Sequence, residues 1–412
     1  MVSTNNDLNF RLSELTQALN LKSLEEVLSK HWDASCRSYG KNRVFLTEKF
    51  IESNNKFFGF PEELLLAYKN TANKINKNKY LKFLFWHIHQ ILFQYDDAKN
   101  AGELLSSWPS LRESLGELSD MFGVTVFTSG IETLQKYYAG RHIPESIMTD
   151  TLDDLLRWIG AFHKKNGRFG FNEYPWLYRH FTGRLFRLGR LQFEPAPFAD
   201  NVTVYKNNTT GEILVYSKPG ITYRKDGQIN GTGGIFDETD FWTSVFIEKG
   251  GKIRGNAITS KGCCSSEITE IAEDRWRMFL DESAMVLNVH IPEGSKLERE
   301  QCLQSYAAAL AFFREYFSDM NFKAFTCFSW LLDAQLASIL PGSSNIVGFQ
   351  KDYVLFPVYF SGEAQIYERV FGNYSRDENQ LPGNTFLQKA IKDYIRAGNS
   401  MRNGAGFIPI GS

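Results

Sequence analysis

Side chains able to do acid–base or nucleophilic chemistry stand in two predicted strands. His290 lies near the end of an apolar strand over Met285–Ile291. Cys327 and Ser329 lie near the end of a second, over Phe322–Trp330. Because ligands of α/β proteins bind at the carboxyl ends of strands, we expect these residues to lie near a ligand. An imidazole titrates near neutral pH and suits His290 as a general base, with a buried histidine satisfied by backbone carbonyls as the alternative.

The second strand offers three candidates with different chemistry. Cys327 alternates in phase with Ser329 and would be a nucleophile if His290 activated it, although free cysteines are more often inert small hydrophobic residues. Ser329 is a candidate hydrogen-bond donor to a reacting group, or the cap of a short helix that begins near Asp333. Trp330, at the end of the same strand, is a candidate substrate contact.

A long strand or hairpin arm predicted over Ile346–Phe360 brings two more candidates. Asn345 precedes it, where a side-chain amide can hold a ligand, although turns are also rich in asparagine. Tyr353 lies within it and is a candidate general acid, although strands favour tyrosine for packing alone.

Arginines recur at every third position in the middle of the chain, at Arg184, Arg187 and Arg190. Clustered guanidinium groups can bind the phosphates of a ligand or an acidic acceptor. A solvated helix face paired with acidic residues is the alternative. We therefore take Arg184 and Arg187 as candidate substrate contacts.

Other motifs that suggest cofactors do not meet the geometry these groups need. His87 and His89 are two apart on a predicted helix, so their side chains diverge and cannot share a metal ion. Gly231–Gly234 lacks the Gly-Lys-Ser/Thr that completes a phosphate-binding P-loop. We predict no metal site.

The elements that position these residues change character along the chain. The first 150 or so residues show helical periodicity without strand alternation. From Leu188 to Trp276, short strands alternate with turn signals and predict a β-meander. A strand, a helix over Leu297–Phe317 and a second strand then form a parallel unit. A last helix over Thr385–Ala397 precedes a glycine-rich end.

Composition excludes several classes of protein. The chain has 412 residues, 43% of them hydrophobic, with 46 Lys+Arg against 47 Asp+Glu. This balance argues against a protein that binds nucleic acid or an anionic membrane, since both need surplus positive charge. Met1–Asp7 shows no secretory signal, and the five cysteines are an odd number without a CxxC pair. We therefore expect a cytoplasmic protein with reduced thiols and no membrane partner.

Four stretches resemble bacterial two-domain acyltransferase-like proteins, in which a helical N-acyltransferase N-terminal domain precedes a GNAT-like C-terminal domain. They are TGRLFRLGRLQF (182–193), VLNVHIP (286–292), FSWLLD (328–333) and SSNI (343–346). The order of elements after Met285 is also similar to the second half of the GNAT fold. The resemblance implies an α+β protein, helical over residues 1–165, then a GNAT-like mixed α/β domain with a β-meander insertion over residues 166–412.

The same resemblance implies an acyl-CoA, such as acetyl-CoA, as acyl donor. Ile291, Gly294, Ser295 and Lys296 stand where GNAT proteins hold the CoA pyrophosphate, and Asn345 would hold the pantetheine arm. The segment departs from the usual Gln/Arg-x-x-Gly-x-Gly/Ala pattern, because it has one glycine and lacks the basic first residue.

The implied reaction is acyl transfer to an amine or hydroxyl of a small-molecule or peptide acceptor. His290 would take the proton of the attacking amine, and Ser329 would hydrogen-bond the thioester carbonyl or protonate the leaving thiolate. Two alternatives remain: a GNAT-shaped binding module without catalysis, and a hydrolase that uses Cys327 or Ser329 with His290. The acyl chain, the acceptor and the oligomeric state are open.

Overall fold

The computed structural model describes residues 10–40, 44–360, 363–372, 375 and 377–411, so Met1–Asp7 lies outside the described residues. The chain divides into two compact units, Met1–Leu188 and Gly189–Ser412. The sequence predicts a boundary after residue 165, which is earlier than the division after Leu188. Within the first unit, the side chains of Trp176 and His180 contact the Asp154 carboxylate at 2.9 and 3.1 Å and tie the segment after residue 166 to the helix before it.

The first unit is helical, as predicted, and ends on a short strand. Its elements in chain order are α1 (Leu12–Ala18), α2 (Glu25–Ser29), α3 (Trp32–Ser38), α4 (Glu48–Phe58), α5 (Glu62–Lys77), α6 (Lys79–Phe93), α7 (Ala98–Ser106), α8 (Arg112–Leu115), α9 (Met121–Ser129), α10 (Ile131–Gly140), α11 (Glu145–Asn166), α12 (Tyr174–Phe181) and β1 (Phe186–Leu188).

Helix α6 forms the buried centre of this unit. The Asn78 side chain accepts hydrogen bonds from the backbone amides of Tyr80 and Leu81 at 2.9 and 3.2 Å, which satisfies two unpaired donors of the first turn. Nearly every side chain from Leu81 onward is buried, so the helix is enclosed by protein on all sides.

The two histidines of α6 are structural groups. His87 contacts the Ser35 hydroxyl at 2.7 Å and the Leu28 carbonyl at 2.8 Å. His89 contacts the Ser129 hydroxyl at 2.7 Å. Burial lowers the pKa of His87 to about 4 and that of His89 to about 3, so both imidazoles are neutral near neutral pH.

The second unit begins with the predicted β-meander and continues with alternating strands and helices. Its elements are β2 (Leu191–Pro197), β3 (Val202–Asn207), β4 (Ile213–Ser217), β5 (Thr222–Arg224), β6 (Phe241–Thr243), β7 (Phe246–Lys249), β8 (Lys252–Ile258), β9 (Cys264–Ala272), β10 (Trp276–Leu280), β11 (Met285–His290), α13 (Arg299–Tyr316), β12 (Phe322–Ser329), α14 (Leu336–Ile339), α15 (Asn345–Gln350), β13 (Val354–Pro357), α16 (Glu363–Phe371), α17 (Phe386–Arg396) and β14 (Gly404–Pro409).

Two larger sheets form this unit. In the central sheet the order within the unit is β2-β11-β12-β14-β13, with β11 and β12 parallel and the other neighbours antiparallel. In the meander sheet the order is β10-β3-β4-β8-β7, with β9 also paired to β8. The parallel pair confirms the strand–helix–strand unit predicted from the sequence, with α13 as the crossover.

The two faces of the central sheet have different neighbours. Val286 and Ala324 share one apolar cluster with Val204 of the meander sheet. Side chains of the opposite phase pack towards α13, whose Tyr306 ring lies 5.0 Å from the ring of Phe325. We call these the meander face and the helix face, and alternation along a strand assigns each residue to one of them.

The prediction of one long strand or hairpin arm over Ile346–Phe360 is wrong. This segment forms the short helix α15 and then β13. Ser344 caps α15 by accepting a hydrogen bond from the Ile346 amide at 3.3 Å. Gln350, at the end of the helix, donates to the Asp333 carbonyl at 2.8 Å. A cap and a side-chain anchor to a distant loop therefore overcome the strand propensity of this apolar segment.

The glycine-rich end of the chain forms β14, between β12 and β13 in the central sheet. A Cβ atom added at Gly404 would lie 2.1 Å from the Leu332 carbonyl oxygen. A Cβ atom at Gly406 would lie 2.9 Å from that of Tyr353. These glycines permit close approach of neighbouring backbone and side chains in the segment that the sequence shows only as a glycine-rich end.

Candidate active site

Polar side chains gather on the meander face at the carboxyl end of β11. The antiparallel pairing with β2 sets Asn288 opposite Glu194, and His290 opposite Gln192. The Nε2 atom of His290 lies 3.3 Å from Oε2 of Glu194. On the parallel neighbour β12, the Thr326 hydroxyl donates to the Asn288 side-chain oxygen at 2.5 Å. The predicted base therefore belongs to a polar row that crosses three strands.

His290 and Glu194 are arranged as a general base and the carboxylate that orients it. The imidazole is 25% exposed and the carboxylate 5% exposed. A buried carboxylate beside one ring nitrogen fixes the orientation of the imidazole.

Glu194 was not among the site residues predicted from the sequence. Its contact with His290 depends on the pairing of β2 with β11, two strands about ninety residues apart in the chain. The available signal was an acidic residue beside Phe193 in a largely apolar strand, because a buried strand rarely holds a carboxylate without a partner.

Cys327 and Ser329 lie on the helix face, out of phase with Thr326. His290 is on the meander face, so the structure does not bring Cys327 and His290 together. Burial raises the pKa of the Cys327 thiol to about 12, so the thiol is protonated at neutral pH. These features do not favour a nucleophilic cysteine.

Tyr353 is also inside the helix-face core, just before β13. Its side chain is buried, and its hydroxyl lies 2.8 Å from that of Tyr306. Burial raises the pKa of the Tyr353 phenol well above its ordinary value. A general acid needs a more accessible proton than this one.

Ser329 and Trp330 have local structural partners. The Ser329 hydroxyl accepts a hydrogen bond from the Leu331 amide at 3.1 Å and caps a 3-10 turn over Trp330–Leu332. Its own proton is left to donate to another group. The half-buried Trp330 packs against the apolar cluster that includes Leu336 and Ile366.

The segment predicted to bind the cofactor is a loop between β11 and α13. Ile291 is half-buried, whereas Gly294, Ser295 and Lys296 are exposed. Gly294 has φ 141°, a value that other residues rarely adopt. Asn345 is the half-buried first residue of α15, not the residue before a strand.

The arginine cluster is not one helix face. Arg184 follows α12 and is exposed, while Arg187 lies in β1. The Arg187 guanidinium is 17% exposed and contacts the Asp153 carboxylate at 2.7 Å. Arg187 thus has the acidic partner that the alternative interpretation predicted.

Within the described part of the chain, no group of three or more His, Cys, Asp or Glu side chains has the arrangement to hold a metal ion. None of the helices described is long and apolar enough to cross a membrane. The five cysteines, all among the described residues, are unpaired.

Two family models together match most of the chain. Residues 185–408 match the GNAT-like C-terminal domain, and residues 51–183 match the N-acyltransferase N-terminal domain. The first match alone spans more than half of the chain, so the protein belongs to the family with a GNAT-like C-terminal domain. This confirms the resemblance identified from the sequence.

Solved acyltransferase structures share the fold along nearly the whole chain. One, in complex with decanoyl-CoA and teicoplanin, has 19% identity and a TM-score of 0.67, covering 97% of this chain and 99% of that one. A second, a mutant in complex with octanoyl-CoA, has 19% identity and a TM-score of 0.65, covering 97% and 100%. A third, in complex with decanoyl-CoA, has 20% identity and a TM-score of 0.63, again covering 97% and 100%. A search of curated proteins found no match.

Proposed function

We propose that this protein transfers an acyl group from an acyl-CoA directly to an amine or hydroxyl of an acceptor. The observation that carries the proposal is the contact between His290 and Glu194 at the carboxyl end of the parallel pair β11 and β12. Membership of the family and the ligands of the similar acyltransferases support acyl-CoA as donor.

In this mechanism the acceptor nitrogen or oxygen attacks the thioester carbonyl carbon. His290 takes the proton of the attacking group, while Glu194 orients the imidazole and stabilises its positive charge. The carbon–sulfur bond then breaks and CoA leaves as its thiolate. Ser329 lies on the helix face, opposite His290, so its phase does not favour it as the donor of a hydrogen bond to the thioester carbonyl or to the departing sulfur.

The donor would lie along the loop that follows β11. Ile291, Gly294, Ser295 and Lys296 are the proposed contacts for the pyrophosphate, and Asn345 for the pantetheine arm. Lys296 is exposed and adds positive charge next to the backbone amides of the loop. Within the second unit we propose Trp330 as the candidate contact for the acceptor.

The acceptor is proposed to be a small molecule or peptide that carries an amine. One similar acyltransferase was solved with teicoplanin, so teicoplanin is the first acceptor to assay. We propose that the protein acts in the cytoplasm, because its five unpaired cysteines suit a reducing compartment.

Two measurements test donor binding and chemistry separately. A ligand at about 100 times its dissociation constant adds about 2.7 kcal/mol to the free energy of unfolding, which raises the midpoint by a few degrees. We expect such a shift with CoA and with decanoyl-CoA. His290→Ala should then slow acyl transfer by about a hundredfold to ten-thousandfold while donor binding stays near that of the wild type.

The matched control is His163→Ala, which removes an exposed histidine of the first unit. Undiminished transfer by His290→Ala would exclude His290 as the base. Binding of acyl-CoA without consumption of any donor above background would favour the binding module. A covalent acyl adduct on Cys327 or Ser329 during turnover would favour the hydrolase-like route over direct attack.

A further inference from the structure

Arg190 is bound to the loop between β11 and α13 by its whole guanidinium group. Its Nη1 atom donates to the Pro292 carbonyl and its Nη2 atom to the Ser295 carbonyl, both at 2.8 Å. Its Nε atom donates to the Lys296 carbonyl at 3.4 Å. A planar fork with donors in fixed directions therefore holds three points along five residues of backbone.

The backbone of Arg190 is fixed as well. Its amide donates to the Ser305 hydroxyl of α13 at 2.8 Å, and that hydroxyl donates to the Gln301 carbonyl. The preceding Gly189 has φ 75°, and a Cβ atom there would lie 2.9 Å from the Ser305 oxygen. The loop and α13 are thus tied to the same short segment of chain.

The bonds to Arg190 use the carbonyl groups of the loop and leave amide groups for a ligand. Among the described residues, the backbone amides of Gly294, Ser295 and Lys296 donate no hydrogen bond to the protein. Exposed peptide amides beside a fixed guanidinium charge can bind phosphate oxygens. An exposed loop with a single glycine would otherwise lose entropy when a ligand orders it.

We infer that Arg190 is a positioning residue for donor binding: it holds the Pro292–Lys296 loop in the conformation that accepts the diphosphate of an acyl-CoA. This inference rests on the proposed function. It also explains how a loop that lacks a basic first residue at Ile291 can keep a defined conformation, because the guanidinium of the residue before β2 holds its carbonyl groups.

The test compares ligands that differ in phosphate content. Titration calorimetry would measure binding of CoA, 4′-phosphopantetheine and pantetheine to the full-length wild type, Arg190→Lys and Arg190→Ala. We expect both variants to bind CoA and 4′-phosphopantetheine about tenfold to a hundredfold more weakly, the loss typical when a residue that orients the binding groups is removed. Binding of pantetheine should change less than about twofold, within ordinary variation for a distant site.

Arg314→Ala is the matched control, since Arg314 is an exposed arginine in the last turn of α13. We expect its affinity for all three ligands to equal that of the wild type. Thermal unfolding of each variant separates folding from binding, and Arg190→Lys keeps the charge if Arg190→Ala does not fold.

The outcomes separate this inference from the proposed function. Equal weakening towards pantetheine and CoA would overturn the inference, because Arg190 would then support the unit in general. Unchanged affinity for all three ligands in the Arg190 variants would also overturn it, while leaving acyl-CoA as the donor. A wild type that binds CoA no more tightly than pantetheine would remove the loop as a diphosphate site, and failure to bind any of the three would refute the proposed function itself.

Discussion

Replacement of Glu194 by glutamine tests the central feature of the candidate active site. The change keeps the size of a side chain that is 5% exposed and removes its negative charge. At the observed 3.3 Å between His290 Nε2 and Glu194 Oε2, with an effective dielectric constant of about 20, the attraction to a protonated imidazole is about 5 kcal/mol. Solvent reaches a quarter of the imidazole, and glutamine still offers a carbonyl oxygen.

We therefore expect a smaller loss, about 1.5–3 kcal/mol, which is the range for a hydrogen bond to a charged group. This corresponds to a fall of about tenfold to a hundredfold in kcat/KM. The assay is release of CoA thiol with decanoyl-CoA and an active acceptor. Donor affinity should stay near the wild-type value, because neither Glu194 nor His290 is proposed to contact the CoA moiety.

A double-variant cycle decides whether Glu194 acts through His290. If it does, Glu194→Gln should cost little in the His290→Ala background, because the base that it orients is already absent. A full tenfold to hundredfold loss in that background would refute the reasoning and assign Glu194 an independent role. A fall in the unfolding midpoint of Glu194→Gln by many degrees would show instead that the carboxylate supports the fold.

Three further predictions concern other parts of the molecule. Cys327→Ser should retain most of the transfer activity, because the Cys327 thiol is buried and protonated. This prediction would be contradicted if the variant lost activity and mass spectrometry detected an acyl adduct on the wild type. Gly404→Ala should lower the free energy of unfolding by about 1–3 kcal/mol, because the added Cβ atom overpacks against the Leu332 carbonyl. Gly342→Ala is the control, since a Cβ atom there meets no other atom within 4 Å. Equal effects of the two changes in denaturant titrations would argue against the close approach at Gly404. Burial raises the pKa of Asp154, but hydrogen bonds from His180 and two tryptophans lower it more, to below its usual 3.8. The contribution of Asp154 to stability is therefore full above about pH 4 and is lost as the pH falls further. Asp154→Asn should flatten the acid side of a stability–pH profile, and an unchanged profile would contradict the assignment.

Much of the fold could be predicted from local sequence. Helical periodicity, turn signals and the apolar strand before Pro292 depend on neighbours within a few residues, and the structure confirms the helical first unit, the meander and the parallel pair around α13. The apolar segment after Asn345 was wrongly predicted as strand, because its helix depends on the Ser344 cap and on a bond from Gln350 to a distant loop.

The candidate site, like the fold, has features that the sequence predicts and features that depend on the tertiary structure. The sequence by itself determined that His290 ends a strand and that the chain belongs to a two-domain acyltransferase-like family, because both rest on residue order. Only the tertiary structure decided which groups meet: antiparallel pairing brings Glu194 to His290, and strand phase puts Cys327 on the opposite face. The contacts of Arg190 with the loop after β11 also join residues about one hundred positions apart. Pairing and phase between distant strands are set by packing of the whole unit, which no local pattern encodes.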